Sequence, residues 1–113
     1  MARRGWLAFV LAACAFTALP WLGTSAAEAD GARTHRVTIA ALKYVPESLT
    51  VHRGDTVVWL NDDPFPHTVT AAGAFDSGSI PAGASWRFVA RRAGTFGYVC
   101  SLHSNMKATL TVE

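Results

Sequence analysis

Four side chains with metal-binding donor atoms are the most informative feature of this 113-residue sequence. A segment near the C-terminus contains Cys100, His103 and Met106 at a Cys-x-x-His-x-x-Met spacing. His67 lies well before this segment and directly follows Pro66, where a loop is predicted to meet a strand. Together these residues offer a thiolate, two imidazoles and a thioether.

This donor set narrows the choice of metal. A thiolate and two imidazoles with a weak axial thioether bind copper and tolerate both of its oxidation states. Zinc accepts cysteine and histidine but gains little from a methionine sulfur. A hydrolytic cysteine is disfavoured, because methionine has no role there and no acid is obviously placed to orient a histidine base. We therefore predict one copper ion per chain, bound by His67, Cys100, His103 and Met106. The alternative is a metal-free sandwich in which the spacing is a coincidence.

The elements that must position these donors have the patterns of strands and turns, and no window shows a sustained helical period. Residues 56–60 form a β-branched and aromatic run, which predicts a strand in the middle of the fold. Residues 61–66 predict a loop, and residues 67–71 a further strand. Residues 30–35 are predicted to be a disordered leader, and residues 100–106 a loop between the last two strands. About seven short strands with frequent turns predict an antiparallel sandwich or barrel.

Alternation along the last two predicted strands indicates which side chains face the core. One face of the first strand carries Phe96, Tyr98 and Cys100, and one face of the second strand carries Ala108, Leu110 and Val112. We expect five aromatic residues to belong to the core rather than to an electron relay: Trp59, Phe65, Trp86, Phe96 and Tyr98. His35 and His52 have no partner motif and are expected at the surface.

The N-terminal segment, residues 1–29, has the organisation of a signal peptide. Two arginines precede an apolar run over residues 6–22, and residues 27–29 form an Ala-x-Ala cleavage site. Cleavage there would leave residues 30–113 as a single soluble domain in the periplasm. The sequence does not decide between export by the Sec route and export by the twin-arginine route, because Arg3 and Arg4 resemble a twin-arginine signal.

Two alternatives would keep the chain at a membrane. The apolar run almost reaches the lower limit of about 17 residues for a membrane span, so the segment could remain as an anchor. Cys14 follows a sequence that resembles a lipobox, so it could instead become a lipidated N-terminus. The apolar run continues well past Cys14, which favours the cleaved signal peptide.

The region after the predicted cleavage site holds a single cysteine and nearly balanced charge. One exported thiol cannot form an internal disulfide framework, so metal ligation is the first role to test for Cys100. The balance of basic and acidic residues gives no argument for nucleic-acid binding.

Three motifs resemble the small cupredoxins, the plastocyanin and amicyanin group. Residues 49–59 resemble the family's third-strand signature, residues 61–69 the segment with its first ligand, and residues 94–100 the strand leading to its cysteine. The resemblance covers residues 37–113, and the short ligand segment is most similar to that of amicyanin. It implies an all-β fold, an antiparallel Greek-key β-sandwich of the cupredoxin type.

The resemblance also implies roles for individual residues. His67, Cys100 and His103 would be equatorial copper ligands, and Met106 the axial one. The backbone N–H of Thr68 would point toward the Cys100 sulfur and so tune the redox potential of the bound copper. The chain departs from many relatives at Thr68, where they have asparagine, so the usual side-chain clamp across the site is altered.

The implied function is that of a blue-copper electron carrier with one type 1 copper, and not that of an enzyme. Its expected partners are redox proteins that dock transiently near His103. We expect no nucleic-acid partner and no small-molecule substrate, and membrane contact only if the N-terminal segment is uncleaved or lipidated. Copper storage or delivery in the periplasm is the alternative function, and a structural adhesion sandwich is a third class.

Overall fold

The computed structural model describes residues 31–113, together with Ala13, Ala15 and Ala18. The predicted signal peptide, residues 1–29, therefore lies outside the described residues except for these three alanines. Within the described part of the chain, no helix is long and apolar enough to cross a membrane. The described chain forms nine strands: β1 (Thr34–Ala40), β2 (Lys43–Val45), β3 (Ser48–Val51), β4 (Thr56–Asn61), β5 (Thr70–Ala71), β6 (Phe75–Asp76), β7 (Ser85–Val89), β8 (Gly94–Cys100) and β9 (His103–Val112).

The nine strands form two sheets, which confirms the predicted all-β sandwich. The first sheet has the order β2-β1-β4-β7, and the second has the order β3-β9-β8-β5-β6. Most neighbouring strands are antiparallel, but β1 pairs with β4 and β3 pairs with β9 in parallel, so both sheets are mixed. The β1–β4 pair is parallel because the chain crosses between sheets: after β1 and β2 it passes through β3 in the second sheet and re-enters the first sheet as β4.

Strand β4 lies between β1 and β7, in the central position that its sequence predicts. Its inward side chains Val57, Trp59 and Asn61 are fully buried. The Trp59 ring packs edge-on against Tyr98 of the second sheet, with a centroid distance of 5.6 Å. The indole N–H of Trp59 donates a hydrogen bond of 3.2 Å to the Tyr98 hydroxyl, so this polar atom is satisfied in the core.

The predicted leader ends earlier than expected, because β1 begins at Thr34 and includes His35. Asp55 is buried and fixes this start: its carboxylate accepts the N–H of Arg33 at 2.9 Å and the N–H of His52 at 3.0 Å. The ring Nε2 of His35 lies 2.9 Å from the same carboxylate. The expectation that His35 lies at the surface is therefore wrong, since it is half-buried against Asp55, whereas His52 is exposed as predicted.

The strand predicted over residues 67–71 is shorter in the structure. Only Thr70–Ala71 pairs as a strand. His67 forms an isolated bridge to Ile80, with backbone hydrogen bonds of 3.1 Å and 2.7 Å in the two directions. The chain at His67 is therefore tied to the segment before β7 instead of continuing the second sheet.

The segment predicted as a loop over residues 100–106 is mostly strand. Only two residues, 101 and 102, form the turn between β8 and β9, so His103 and Met106 belong to β9. The pairing of the two strands shifts its register between Val99 and Cys100. The predicted alternation is confirmed: β8 buries Tyr98 and Cys100 and packs the half-buried Phe96 against the core, and β9 buries Ala108, Leu110 and Val112.

Candidate metal site

The loop after β4 is held by the side chain of Asn61, the last residue of that strand. Its amide donates hydrogen bonds of 2.9 Å to the carbonyl oxygens of Phe65 and Ile80. Its Oδ1 accepts the N–H of Asp63 at 3.0 Å. Because one buried amide connects both ends of the loop to the segment before β7, the position of the following His67 is fixed by hydrogen bonds.

A buried carboxylate orients the His67 ring. Nε2 of His67 lies 2.8 Å from Oδ2 of Asp63, and the ring is fully buried. Since a carboxylate accepts hydrogen bonds, the ring proton lies on Nε2 and the lone pair on Nδ1. The expectation that no acid is placed to orient a histidine is therefore wrong: Asp63 does so from four positions earlier, and that spacing was the only signal in the sequence.

Asp63 is itself held by the turn between β1 and β2. Its two carboxylate oxygens accept the N–H of Ala41 at 2.7 Å and of Leu42 at 3.0 Å. Burial raises the pKa of Asp63, but the hydrogen bonds from Leu42, His67 and Ala41 outweigh burial and keep the pKa below its usual value. The Asp63 carboxylate is therefore ionised when it accepts the hydrogen bond from the Nε2–H group of His67.

Cys100 is fully buried beside the free nitrogen of His67. Its Sγ lies 3.7 Å from Nδ1 of that ring. The backbone N–H of Thr68 donates to the same sulfur at 3.3 Å, which confirms the contact that the family resemblance implied. The Thr68 hydroxyl accepts the N–H of Ser101 at 2.8 Å and so connects the loop to the end of β8. The threonine thus supplies a side-chain clamp across the site.

The separation of these two donor atoms fits one shared metal ion. Their separation of 3.7 Å is short enough for an imidazole nitrogen and a thiolate to bind the same ion. Ligation of a copper ion by His67 and Cys100 stays a prediction.

The other two predicted ligands are His103, whose ring lies beside that of His67, and Met106, which borders the same cavity as His103. The half-buried His103 ring is 5.0 Å from the His67 ring, measured between centroids. Met106 is buried, and together with His103 it lines a cavity of about 310 Å³ at this end of the sandwich. Among residues 31–113, no three histidine, cysteine or acidic side chains converge as closely as a metal site requires. Ligation by His103 and Met106 therefore stays a prediction.

Two neutral phenols pack beneath the cysteine. Tyr44 donates a hydrogen bond from its hydroxyl to the carbonyl of Thr68, and its ring meets Tyr98 edge-on at 4.8 Å. Burial raises the pKa of Tyr44 well above its usual value. Burial also raises the pKa of Tyr98 to about 12, although the hydrogen bond from Trp59 acts in the opposite direction. Both rings therefore stay protonated and add no negative charge beside the thiol.

The chain belongs to the family described as the cupredoxin-like domain, whose model matches residues 10–112. This membership confirms the resemblance found in the sequence and supports copper as the cofactor. Plastocyanin from Scenedesmus fuscus is 33% identical over 91 residues, which cover 65% of this chain and 89% of that protein. Amicyanin from Paracoccus denitrificans is 34% identical over 91 residues, which cover 75% of this chain and 68% of that protein.

Solved structures share the same fold. The Cu(I) form of an amicyanin variant superposes with a TM-score of 0.67 at 30% identity, covering 74% of this chain and 84% of that one. A copper-containing nitrite reductase from Thermus scotoductus SA-01 also gives a TM-score of 0.67, at 22% identity. This chain spans 22% of the length of that enzyme, so the second match shows the shared fold alone.

Proposed function

We propose that this protein is an exported, periplasmic blue-copper protein that carries single electrons between redox proteins. One type 1 copper would be held by His67, Cys100 and His103, with Met106 as the axial ligand. The observation that carries this proposal is the buried pair of donors, with Nδ1 of His67 at 3.7 Å from Sγ of Cys100. The relatives named plastocyanin and amicyanin, which are blue-copper electron carriers, support it.

Bound copper would supply the one-electron chemistry, and the residues around it would keep the ligands still. Asp63 holds the proton of His67 on Nε2, and the Asn61 amide fixes the loop that carries the ring. The N–H of Thr68 withdraws electron density from the Cys100 sulfur. Full burial of both ligands excludes water. A site fixed in this way favours electron transfer over copper storage or delivery, which need ligands that open for exchange.

An apolar rim around His103 supports transient docking of redox partners at this end. Phe65, Leu42 and Leu102 are 38%, 45% and 54% exposed, and the Phe65 ring lies 5.7 Å from the His103 ring between centroids. The prediction that Phe65 belongs to the core is therefore wrong. A small apolar contact of this kind suits a partner that must leave quickly.

Leu42 joins this rim through an unusual turn that sequence reasoning did not identify. Ala41 and Leu42 have φ angles of 51° and 63°, in the left-handed region that glycine or asparagine normally occupies. The Asp63 carboxylate binds both N–H groups of this turn. The same carboxylate therefore positions a ligand and a residue of the docking rim.

The experiment that tests the function is the visible spectrum of the purified, copper-loaded protein, followed by a redox titration. We expect an intense thiolate-to-copper absorption band, one copper per chain and a reversible one-electron transition. Cys100→Ser should abolish the band and leave the sandwich folded, whereas Ser104→Ala, an exposed neighbour, should keep it. An intense band in Cys100→Ser would contradict the ligand assignment. A colourless complex that gives its copper readily to a chelator would instead identify a storage or delivery protein.

A further inference from the structure

An open cleft lies at the side of the sandwich farthest from strand β2. Strand β7 is the edge of the first sheet and β6 is the edge of the second, so neither has a neighbour on this side. The cleft has a volume of about 510 Å³. That volume is within the range of about 300–1,000 Å³ that is typical of small-molecule sites.

Aromatic rings form the floor of the cleft. The buried Phe75 ring lies 4.6 Å from the Phe88 ring and 6.2 Å from the Phe96 ring, measured between centroids. Phe88 and Phe96 are only half-buried, so their rings face both the core and the opening. A flat apolar group could therefore pack on these rings in the offset or edge-on arrangements that aromatic pairs prefer.

Three arginines surround this floor. Arg87, Arg91 and Arg92 line the cleft and are exposed. No carboxylate of residues 31–113 forms a salt bridge with any of them. The guanidinium of Arg92 lies 5.3 Å from the centroid of the Phe96 ring, which places a positive charge over the aromatic floor. Positive groups beside an apolar floor match a ligand with one anionic group and one apolar body.

We propose that this cleft binds a small organic anion, with an aromatic or flat apolar body on the phenylalanine floor and a carboxylate or sulfonate at the arginines. Guanidinium groups form charge-assisted, often bidentate, hydrogen bonds with such anions. The cleft reaches β8 at Phe96, whereas Cys100 ends the same strand. The site is therefore separate from the metal site, and the proposal is independent of the copper function.

The probe for this proposal is 8-anilinonaphthalene-1-sulfonate, which combines an aromatic body with a sulfonate. Fluorescence titration of the purified protein should show one saturable site per chain. Arg91→Glu/Arg92→Glu should raise the dissociation constant by about tenfold or more, because charge-assisted bonds are replaced by repulsion. The control Lys43→Glu/Lys107→Glu makes the same change of charge on β2 and β9, at exposed positions that do not line the cleft, and should change the dissociation constant less than about twofold.

Two further measurements separate a cleft site from general attraction. Ala74→Trp, on the turn before β6, should fill the cleft and weaken binding while keeping all three arginines. The uncharged N-phenyl-1-naphthylamine should bind the wild type more weakly than the sulfonate does. Circular dichroism of each variant checks that the sandwich is intact. Metal-free protein should bind the sulfonate equally well. The binding measurement therefore tests the cleft even if the copper proposal fails.

Three outcomes would overturn the proposal. Equal weakening in both double-charge variants would mean that only net charge attracts the probe. Unchanged binding in Ala74→Trp would place the probe outside the cleft. Loss of binding in Phe65→Ser, together with full binding in the arginine variant, would place it on the apolar rim around His103.

Discussion

Nε2 of His67 lies 2.8 Å from Oδ2 of Asp63, and the same carboxylate binds two consecutive backbone N–H groups of the turn between β1 and β2. This arrangement makes Asp63 the link between the proposed metal ligand and the surface turn beside it. A carboxylate that holds the second nitrogen of a ligating histidine fixes the tautomer and orientation of the ring.

Asp63→Asn should therefore weaken copper binding by about 10- to 100-fold, the usual cost of losing such a partner. An amide keeps the shape of the carboxylate, but it has no charge and only one acceptor oxygen, so it cannot accept all three hydrogen bonds. Copper affinity can be measured by competition with a chelator. The control is Asp62→Asn, which removes an exposed carboxylate one residue away. Equal affinity in Asp63→Asn and the wild type would show that the ring is positioned without this partner.

Three of the four proposed metal donors could be singled out from the sequence because they lie close together in it. Cys100, His103 and Met106 lie within seven residues, and the alternating burial of β8 and β9 follows directly from alternating residue types. The contact between Asp63 and His67 could not be predicted from local sequence. It depends on the path of a loop that the Asn61 side chain fixes through contacts to distant backbone.

Long-range pairing explains the other differences from the sequence prediction. His35 looks like part of a polar leader, but parallel pairing with β4 brings it to Asp55, 20 residues later. A tight turn was not evident between Cys100 and His103, because residues 101 and 102 are not a strong turn pair. Strand β9 nevertheless starts at His103, since His103 pairs with Cys100 of β8 across the turn.

Met106→Leu tests the axial role of the thioether. A weak axial bond adjusts the relative stability of the two oxidation states and is not needed to hold the ion. The variant should therefore keep the intense absorption band and have a higher midpoint potential. Leucine is also a volume-conserving replacement for this buried side chain, so the fold should be retained. Complete loss of copper from Met106→Leu would show that the residue acts through the structure of β9.

The hydrogen bonds to the Asp55 carboxylate predict how the stability of the fold depends on pH. The N–H groups of Arg33 and His52, followed by the ring of His35, hold the pKa of Asp55 below its usual value of about 3.9. The folded protein therefore binds fewer protons than the unfolded chain in this range. The stabilisation is present above about pH 4 and is lost as the pH falls toward the lower pKa of the folded state.

Urea unfolding between about pH 2 and 6 measures this dependence. Asp55→Asn should be less stable than the wild type at pH 6 and should lose less of its remaining stability on acidification. Asp62→Asn, which is exposed, should follow the wild-type curve. If the free energy of unfolding has the same pH dependence in Asp55→Asn and the wild type, the hydrogen bonds to Asp55 do not cause the loss of stability in acid.

The apolar rim around His103 predicts a kinetic effect without a thermodynamic one. Leu102 is 54% exposed at the turn between β8 and β9, next to the proposed ligand. Leu102→Ser should leave the absorption band and midpoint potential unchanged, because the side chain is not a donor and removes little buried surface. It should slow electron transfer to a redox protein by about fivefold, which corresponds to the loss of about 1 kcal/mol when a central apolar contact is removed.

Stopped-flow measurement with a redox protein and with ferricyanide separates docking from the intrinsic reactivity of the copper. Only the reaction with the protein partner should slow, because a small inorganic oxidant needs no apolar rim. Val89→Ser is the matched control: it makes a similar change at an exposed position on β7, the edge strand at the other side of the sandwich. If Val89→Ser slows the protein reaction as much as Leu102→Ser does, electrons leave by a surface other than the one around His103.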